Sequence, residues 1–354
     1  MHYTKVDLIA GVTKRLKICV YGAGAVGGLL AARFALAGED VTVLDCNQQH
    51  FAAIKSNGIE LRDRNSSFQL ARVGAVDRAA DTGAQDLVVL AVKAQSLQNI
   101  ANELPCMFHP DTVVMTVQNG IPWWYFQKHG GAFDGMRLQS LDPGGVLTNS
   151  IDVNRIIACV MYPAAAVVAP GIVLHVEGDR CPVGEIDGKV TDRVKSVEAL
   201  LVKAGLKSRV LTDIRSEIWL KALGTLSFNP ISALTHATMS EICRLPETRQ
   251  LVGRMMREGQ SVAEELGISL RHTIDKRIEG AEAVGRHKTS MLQDVETGRP
   301  LEIEALIGAI IEMGALTATP TPMIESVYAL TKLLDKQIEA QGGFAGSSGA
   351  SLGS

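Results

Sequence analysis

Two rhythms of apolar residues divide this chain. Up to about residue 212, short β-branched runs alternate with amphipathic stretches; from Asp213 almost to the end, a 3.6-residue helical spacing takes over. The shift predicts an α/β domain over 16–212 and an all-helical domain over 213–338. Residues 1–15 read as an extension without the long apolar core of a signal peptide, and the Gly/Ser/Ala-rich 339–354 as a disordered tail.

The first run, Lys17-Ile18-Cys19-Val20-Tyr21, ends in a G-x-G-x-x-G at Gly22, Gly24 and Gly27. A helix former follows over 29–37, stopped by Gly38, and then Asp40-Val41-Thr42-Val43-Leu44 closes on Asp45. This is the β-turn-α-β unit that grips a dinucleotide. Its glycines allow the turn, the approach of backbone to pyrophosphate, and the close packing of helix on strand. The pyrophosphate is expected on the free N–H groups at the helix N-terminus, beside Ala25 and Val26. A bare glycine-rich turn is the plain alternative.

Further on, 48–56 reads as a helix and 58–70 as an irregular strand region. Two continuous apolar strands, 86–92 and 112–117, end at Lys93 and at Gln118-Asn119-Gly120. Ligands of doubly wound sheets lie outside the carboxyl ends of parallel strands, which places Lys93 and Asn119 at a cofactor crevice. A solvated lysine and an ordinary Asn-Gly turn are the alternatives. The cluster Trp123-Trp124-Tyr125-Phe126 suits packing, a loop over the site, or a subunit contact. Residues 156–174 carry no charge, but Pro163, Pro170 and Gly171 break them into two buried strands with a turn. A helix over 190–204 and a last strand over 208–211 complete the first domain.

In the second domain, Ile214, Ile218 and Ala222 share one face of a helix, with Lys221, Thr225 and Asn229 in line beside them. A lysine there must snorkel or face a cleft, and desolvation would ease loss of its proton, as suits a general acid. Asn229 has a structural alternative, capping a new helix opened by Pro230. Thr297-Gly298 predicts a helix end and Pro300 the start of another. Glu302 then lies on an apolar stripe with Leu306, Ala309, Ile310 and Met313, where a carboxylate needs a partner such as a cleft lysine; surface capping at the helix start, which the macrodipole favours, is the alternative.

Composition narrows the classes. A net charge of −3 over 354 residues gives no electrostatic reason to expect nucleic acid or a membrane surface. Six scattered cysteines without C-x-x-C spacing suit a reducing cytoplasm and imply neither a disulfide framework nor a metal site.

With these residues in place, the chain resembles the ketopantoate reductase family over nearly all of 16–338. The resemblance rests on the glycine fingerprint, Val92-Lys93-Ala94, Gln118-Asn119-Gly120, the Ile214–Lys221 stretch, Asn229-Pro230, Thr235, and Ser290-Met291-Leu292-Gln293-Asp294 with Glu302. It implies a Rossmann-type N-terminal domain and an all-α C-terminal domain like that of 6-phosphogluconate dehydrogenase. It further implies reduction of a 2-keto acid, proton donation by Lys221, and Glu302 holding the substrate or the lysine. Asn119, Thr225, Asn229 and Ser290 are then the expected substrate contacts, Ser290 at the carboxylate. Gly22, Gly24, Ala25, Val26, Gly27, Asp45, Lys93, Asn119 and Glu302 are the expected cofactor contacts.

The chain departs from the family at Asp45, where an arginine usually grips the 2′-phosphate of NADPH. An acid there binds ribose hydroxyls and repels phosphate, so NADH becomes the alternative or preferred cofactor. Thr225 and His287 stand where the family often has asparagines. A cytoplasmic enzyme is expected, with a homodimer as the assembly to look for. The alternatives are a dehydrogenase for a bulkier oxo acid using NADH, and a dinucleotide-binding sensor without catalysis.

Overall fold

The computed structural model describes residues 15–340. The expected extension and tail fall outside them, except Arg15, just ahead of the first strand, and residues 339–340, which end the last helix.

The first unit opens with β1 (Lys17–Tyr21), α1 (Ala25–Leu36), β2 (Asp40–Leu44) and α2 (Gln48–Asn57). Next come β3 (Ile59–Arg62), β4 (Phe68–Ala71), β5 (Gly74–Val76), β6 (Gln85–Leu90), α3 (Leu97–Ile100) and β7 (Phe108–Thr116). After a long irregular stretch follow α4 (Val146–Ser150), β8 (Ile156–Cys159), β9 (Ala164–Ala169), β10 (Ile172–Glu177), β11 (Val183–Glu185) and α5 (Asp192–Lys203). A seven-stranded sheet runs β11-β8-β7-β6-β1-β2-β5, parallel except for β11. Sequence order reverses at β1, with β2 on one side and β6 on the other. In open α/β sheets the binding crevice lies at such a switch point, outside the carboxyl ends of the strands. The interior strands are apolar throughout because helices and loops cover both faces: β6 is buried from Leu87 to Leu90.

A second sheet, β4-β3-β10-β9, closes over the other side of α1. Gly28 permits this, since a Cβ there would stand 2.8 Å from Val173 Cγ2 of β10. The uncharged stretch 156–174, expected as two strands and a turn, is therefore divided among three strands in two sheets. β8 joins the large sheet, and β9 turns at Pro170-Gly171 into β10 of the small one. The strand expected over 208–211 is reduced to single parallel bridges, Lys207 to Arg180 and Val210 to Val183.

The helical unit comprises α6 (Ile214–Thr235), α7 (Met239–Arg244), α8 (Pro246–Glu265), α9 (Ile274–Ala283), α10 (Ser290–Glu296), α11 (Ala309–Leu316) and α12 (Pro322–Ala340). Asp213 caps α6, accepting the Ser216 N–H at 3.0 Å. Contrary to the capping alternative for Asn229, α6 does not break at Pro230. Everything from Leu226 to Ala233 is buried, and that packing outweighs the missing N–H. Pro300 also lies in coil, and the next helix begins at Ile303. It passes at once into a π turn, Glu304–Gly308, before α11.

The aromatic cluster after β7 is core. Trp124, Tyr125 and Phe126 are fully buried where α6 docks on the first unit. The Trp219 indole N–H donates to Tyr125 Oη at 2.7 Å, and the Trp124 N–H to Thr116 Oγ1 at 3.1 Å. Arg215 of α6 donates to the carbonyls of Tyr125 and Gln127. Packing, rather than a site wall or subunit contact, accounts for these residues. No helix among the described residues is long and apolar enough to cross a membrane.

Candidate active site

The glycine loop leaves β1 at the switch point, and its three glycines do three separable jobs. Gly22 has φ +96°, and a Cβ on it would meet Val92 N at 2.7 Å, so strand β6 ends hard against the turn. A Cβ on Gly27 would lie 1.8 Å from the Gly22 carbonyl oxygen, which sets the contact between α1 and β1. Around Gly24 there is nothing within 4 Å of that position. Gly24 is also the N-cap of α1, with no side chain bonded to the first-turn N–H groups. An open approach to free amides at the positive end of a twelve-residue helix suits a pyrophosphate.

Asp45, at the end of β2, reaches back to this loop. One carboxylate oxygen accepts the Ala23 N–H at 2.7 Å and the other the Asn47 N–H at 2.8 Å. Each oxygen keeps a lone pair for a further donor.

At the ends of β6 and β7 the chain ties its two units together. Gln118 donates to the carbonyls of Leu90 (2.6 Å) and Val92 (3.1 Å), locking the two strand ends. Gly120 (φ +79°) lets the loop touch the π turn: a Cβ there would stand 2.1 Å from the Ala305 carbonyl, which accepts the Ile121 N–H at 2.8 Å. Lys93 does not extend freely into the crevice. Its ammonium pairs with Asp294 at 2.8 Å and donates to the Pro300 carbonyl at 2.9 Å, across to the helical unit.

Lys221, on α6, donates to Asn119 Oδ1 at 2.5 Å and to the Met161 carbonyl. Burial pulls its ammonium down from the usual lysine range to about 8; Cys159 and Glu302 oppose the shift. A lysine so placed can give up a proton near neutrality. The expected direct pair between Lys221 and Glu302 is not formed. Glu302 instead accepts the Ala94 N–H at 3.0 Å, and burial raises its carboxyl pKa. Two neutral acceptors already satisfy the lysine, and a backbone donor satisfies the acid.

Asn229, nearly fully buried, donates to Ser290 Oγ at 3.2 Å. Asn119, Lys221, Thr225, Asn229 and Ser290 all line one cleft of about 720 Å³, and Val26 of the first turn of α1 lines it too. The cleft thus runs from the first turn of α1 to the lysine on α6.

Sequence reasoning missed the ion cluster behind the cleft wall, where Tyr162, Arg180 and Arg271 line the cleft. Glu217, with its side chain 1% exposed, accepts from Tyr162 Oη (2.6 Å), Arg180 (2.7 Å) and Arg271 (2.6 Å), and so joins both units. On the sequence alone, Glu217 is an unremarked first-turn acid whose partners come from three distant segments. Glu217→Ala is expected to cost about 3 kcal/mol, the scale for removing one partner of a buried ion pair. The urea midpoint measures this, and an unchanged midpoint would contradict the assignment. Among the described residues, no group of three His, Cys, Asp or Glu side chains could hold a metal ion.

Comparison with known proteins covers most of the chain. Residues 18–127 match the family described as "Ketopantoate reductase PanE/ApbA", and residues 213–335 its C-terminal domain family. A 2-dehydropantoate 2-reductase of Mesorhizobium japonicum is 47% identical over 319 residues, covering 90% of this chain and 98% of that one. A crystal structure of a putative ketopantoate reductase from Ralstonia solanacearum superposes with a TM-score of 0.87 at 35% identity, over 92% of this chain and 99% of the other. D-mandelate dehydrogenase, solved with NADH and anilino(oxo)acetate, shares the fold with a TM-score of 0.79 at 21% identity, over 92% and 100% of the two chains.

Proposed function

The chain belongs to the ketopantoate reductase family, and from that premise we propose that it reduces 2-dehydropantoate to pantoate with a nicotinamide cofactor. The observation that carries this reading is the single cleft joining the first turn of α1 to Lys221 and the Asn229–Ser290 pair. When bound, the cofactor supplies hydride to the ketone carbon. The first-turn amides of α1 and the open space at Gly24 receive its pyrophosphate. Lys221 gives its proton to the ketone oxygen, and as an ammonium it stabilises negative charge developing there. Asn119 fixes the ammonium's position. Thr225 and Asn229, on the same helix as Lys221, and Ser290 of α10 orient the keto acid. Glu302 acts at a distance, holding the end of β6 through Ala94 and biasing Lys221 electrostatically. Lys93 likewise serves by fixing the two units together through Asp294.

The cofactor is NAD(P)H, and we read the preference as NADH. Leu44 of β2 pairs with Val76 of β5, so Asp45 and Asp77 leave adjacent strands side by side at the adenosine end. Two acids favour ribose hydroxyls and disfavour a 2′-phosphate. A second reading takes a bulkier 2-oxo acid. It draws on Pro163, Ala164, Ala165 and Ala166, whose small side chains leave room on one wall of the cleft.

The test is a fluorescence titration with NADH and NADPH, followed by turnover on ketopantoate and on 2-oxo acids with larger substituents. NADH is expected to bind at least tenfold more tightly, about 1.4 kcal/mol. A tenfold preference for NADPH would overturn the reading of Asp45. Faster turnover of the larger acids would favour the second substrate. Zero turnover with every keto acid, despite tight NADH binding, would leave only a sensor.

A further inference from the structure

Among the described residues, the cleft wall carries Arg180, Lys221, Arg271, Arg277, Arg286 and Lys288, and no carboxylate. Five of these six have partners within the protein. Arg180 and Arg271 share Glu217, Arg286 pairs with Glu241 at 3.3 Å, and Lys288 with Glu296 at 2.6 Å. Lys221 is held by Asn119 and the Met161 carbonyl. Arg277 of α9 is the exception: among the described residues it has no ion pair, and its Nε is buried without a hydrogen-bond partner.

Its position is specific. Arg277 Nη2 lies 3.6 Å from where a Cβ on Gly224 would be. The guanidinium therefore rests across α6 at the turn between Lys221 and Thr225, where glycine leaves space for it. A half-buried cation with a buried, unmet Nε–H is costly, and burial depresses its pKa. A planar fork of N–H donors finds its best complement in a carboxylate, which it can hold through two parallel bonds.

We propose that Arg277 is the specificity-determining residue of the cleft, the cation that binds the substrate's carboxylate. This deepens the 2-keto acid reading and rests on it. The Asn229–Ser290 pair is neutral: it can hydrogen-bond a carboxylate but cannot offset its charge. Arg277 supplies that charge within one helical turn of Lys221, next to the ketone oxygen that the lysine protonates. A 2-keto acid has its carboxylate on the carbon adjacent to the ketone, so the two cations address neighbouring groups of one small molecule. Arg277 binds and selects, and takes no part in the proton transfer.

The test compares wild type with Arg277→Gln and Arg277→Lys, using ketopantoate and its methyl ester as paired substrates. For Arg277→Gln, KM for the acid is expected to rise at least tenfold, with kcat within about threefold and NADH affinity unchanged. The preference for acid over ester should fall by the same factor. Arg277→Lys, which keeps the charge but loses the fork, should recover part of the loss and covers the case in which the glutamine variant fails to fold. An unchanged KM for the acid in a folded variant, or equal losses for acid and ester, would overturn the proposal. If wild-type enzyme turns over ketopantoate and either result is found, only the role of Arg277 fails. If wild-type enzyme reduces no keto acid, the functional reading fails and takes this proposal with it.

Discussion

Lys221→Ala should retain NADH binding within about threefold and lose at least two decades of kcat, the scale for removing a general acid. The side chain sits where α6 faces the cleft, held by Asn119 and the Met161 carbonyl rather than by a carboxylate. Neutral acceptors position the ammonium without stabilising its charge as an acid would, so burial dominates and brings it down to about 8. The direction of the pH effect follows. The reducing form of the enzyme carries the protonated lysine, so kcat for reduction is flat below about pH 8 and falls about tenfold per unit above it. The alanine variant should show no such limb. An active Lys221→Ala enzyme, or one that loses NADH binding and turnover together, would remove the lysine from the proposed proton transfer.

The second large effect separates glycines that look alike in the fingerprint. Gly27→Ala places a methyl 1.8 Å from the Gly22 carbonyl and 2.9 Å from Ala91 Cβ. Neither the β1 turn nor the end of β6 can yield without disturbing the crevice. We expect a loss of about 3 kcal/mol or more, at the upper end for overpacking, seen as a lowered Tm and poor recovery of folded protein. Gly24→Val is the opposite case. Gly24 has φ −60° and ψ −159°, open to any residue, and nothing lies within 4 Å of the added carbon. This variant should fold with Tm unchanged, yet bind NADH at least tenfold more weakly, because its side chain fills the approach to the α1 amides. Tight NADH binding by folded Gly24→Val would show that the pyrophosphate lies elsewhere.

What could be read in the sequence was local or periodic. The glycine fingerprint, the strands ending at Lys93 and Asn119, and the polar line Lys221–Thr225–Asn229 all depend on spacing within one element. The failures came where distant segments compete for one group. Glu302 looked like a partner for Lys221 because both interrupt apolar stripes, yet the Ala94 amide claims the acid first. Asn229-Pro230 has the local signature of a helix boundary, but burial on every side carries α6 through it. The division of 156–174 between two sheets depends on Gly28 in another element admitting β10. Arg277 carried no sequence signal, since its importance lies in a missing partner, which only three-dimensional placement reveals.

The seam at Gly120 has a consequence for how ligands exchange. The Ile121 amide, the Lys93 ammonium and the Glu302 carboxylate each cross between the two units on the same side. A clamshell rotation wide enough to admit a keto acid there would have to break an ion pair and two backbone bonds together. The Glu217 cluster ties Arg180 to Arg271 on the other side as well, so exchange is expected through the cleft mouth, past the exposed His272 and Arg286, with the two units staying joined. Slow steps in turnover should accordingly answer to changes in the viscosity and salt met at that mouth, and little to loosening of the seam.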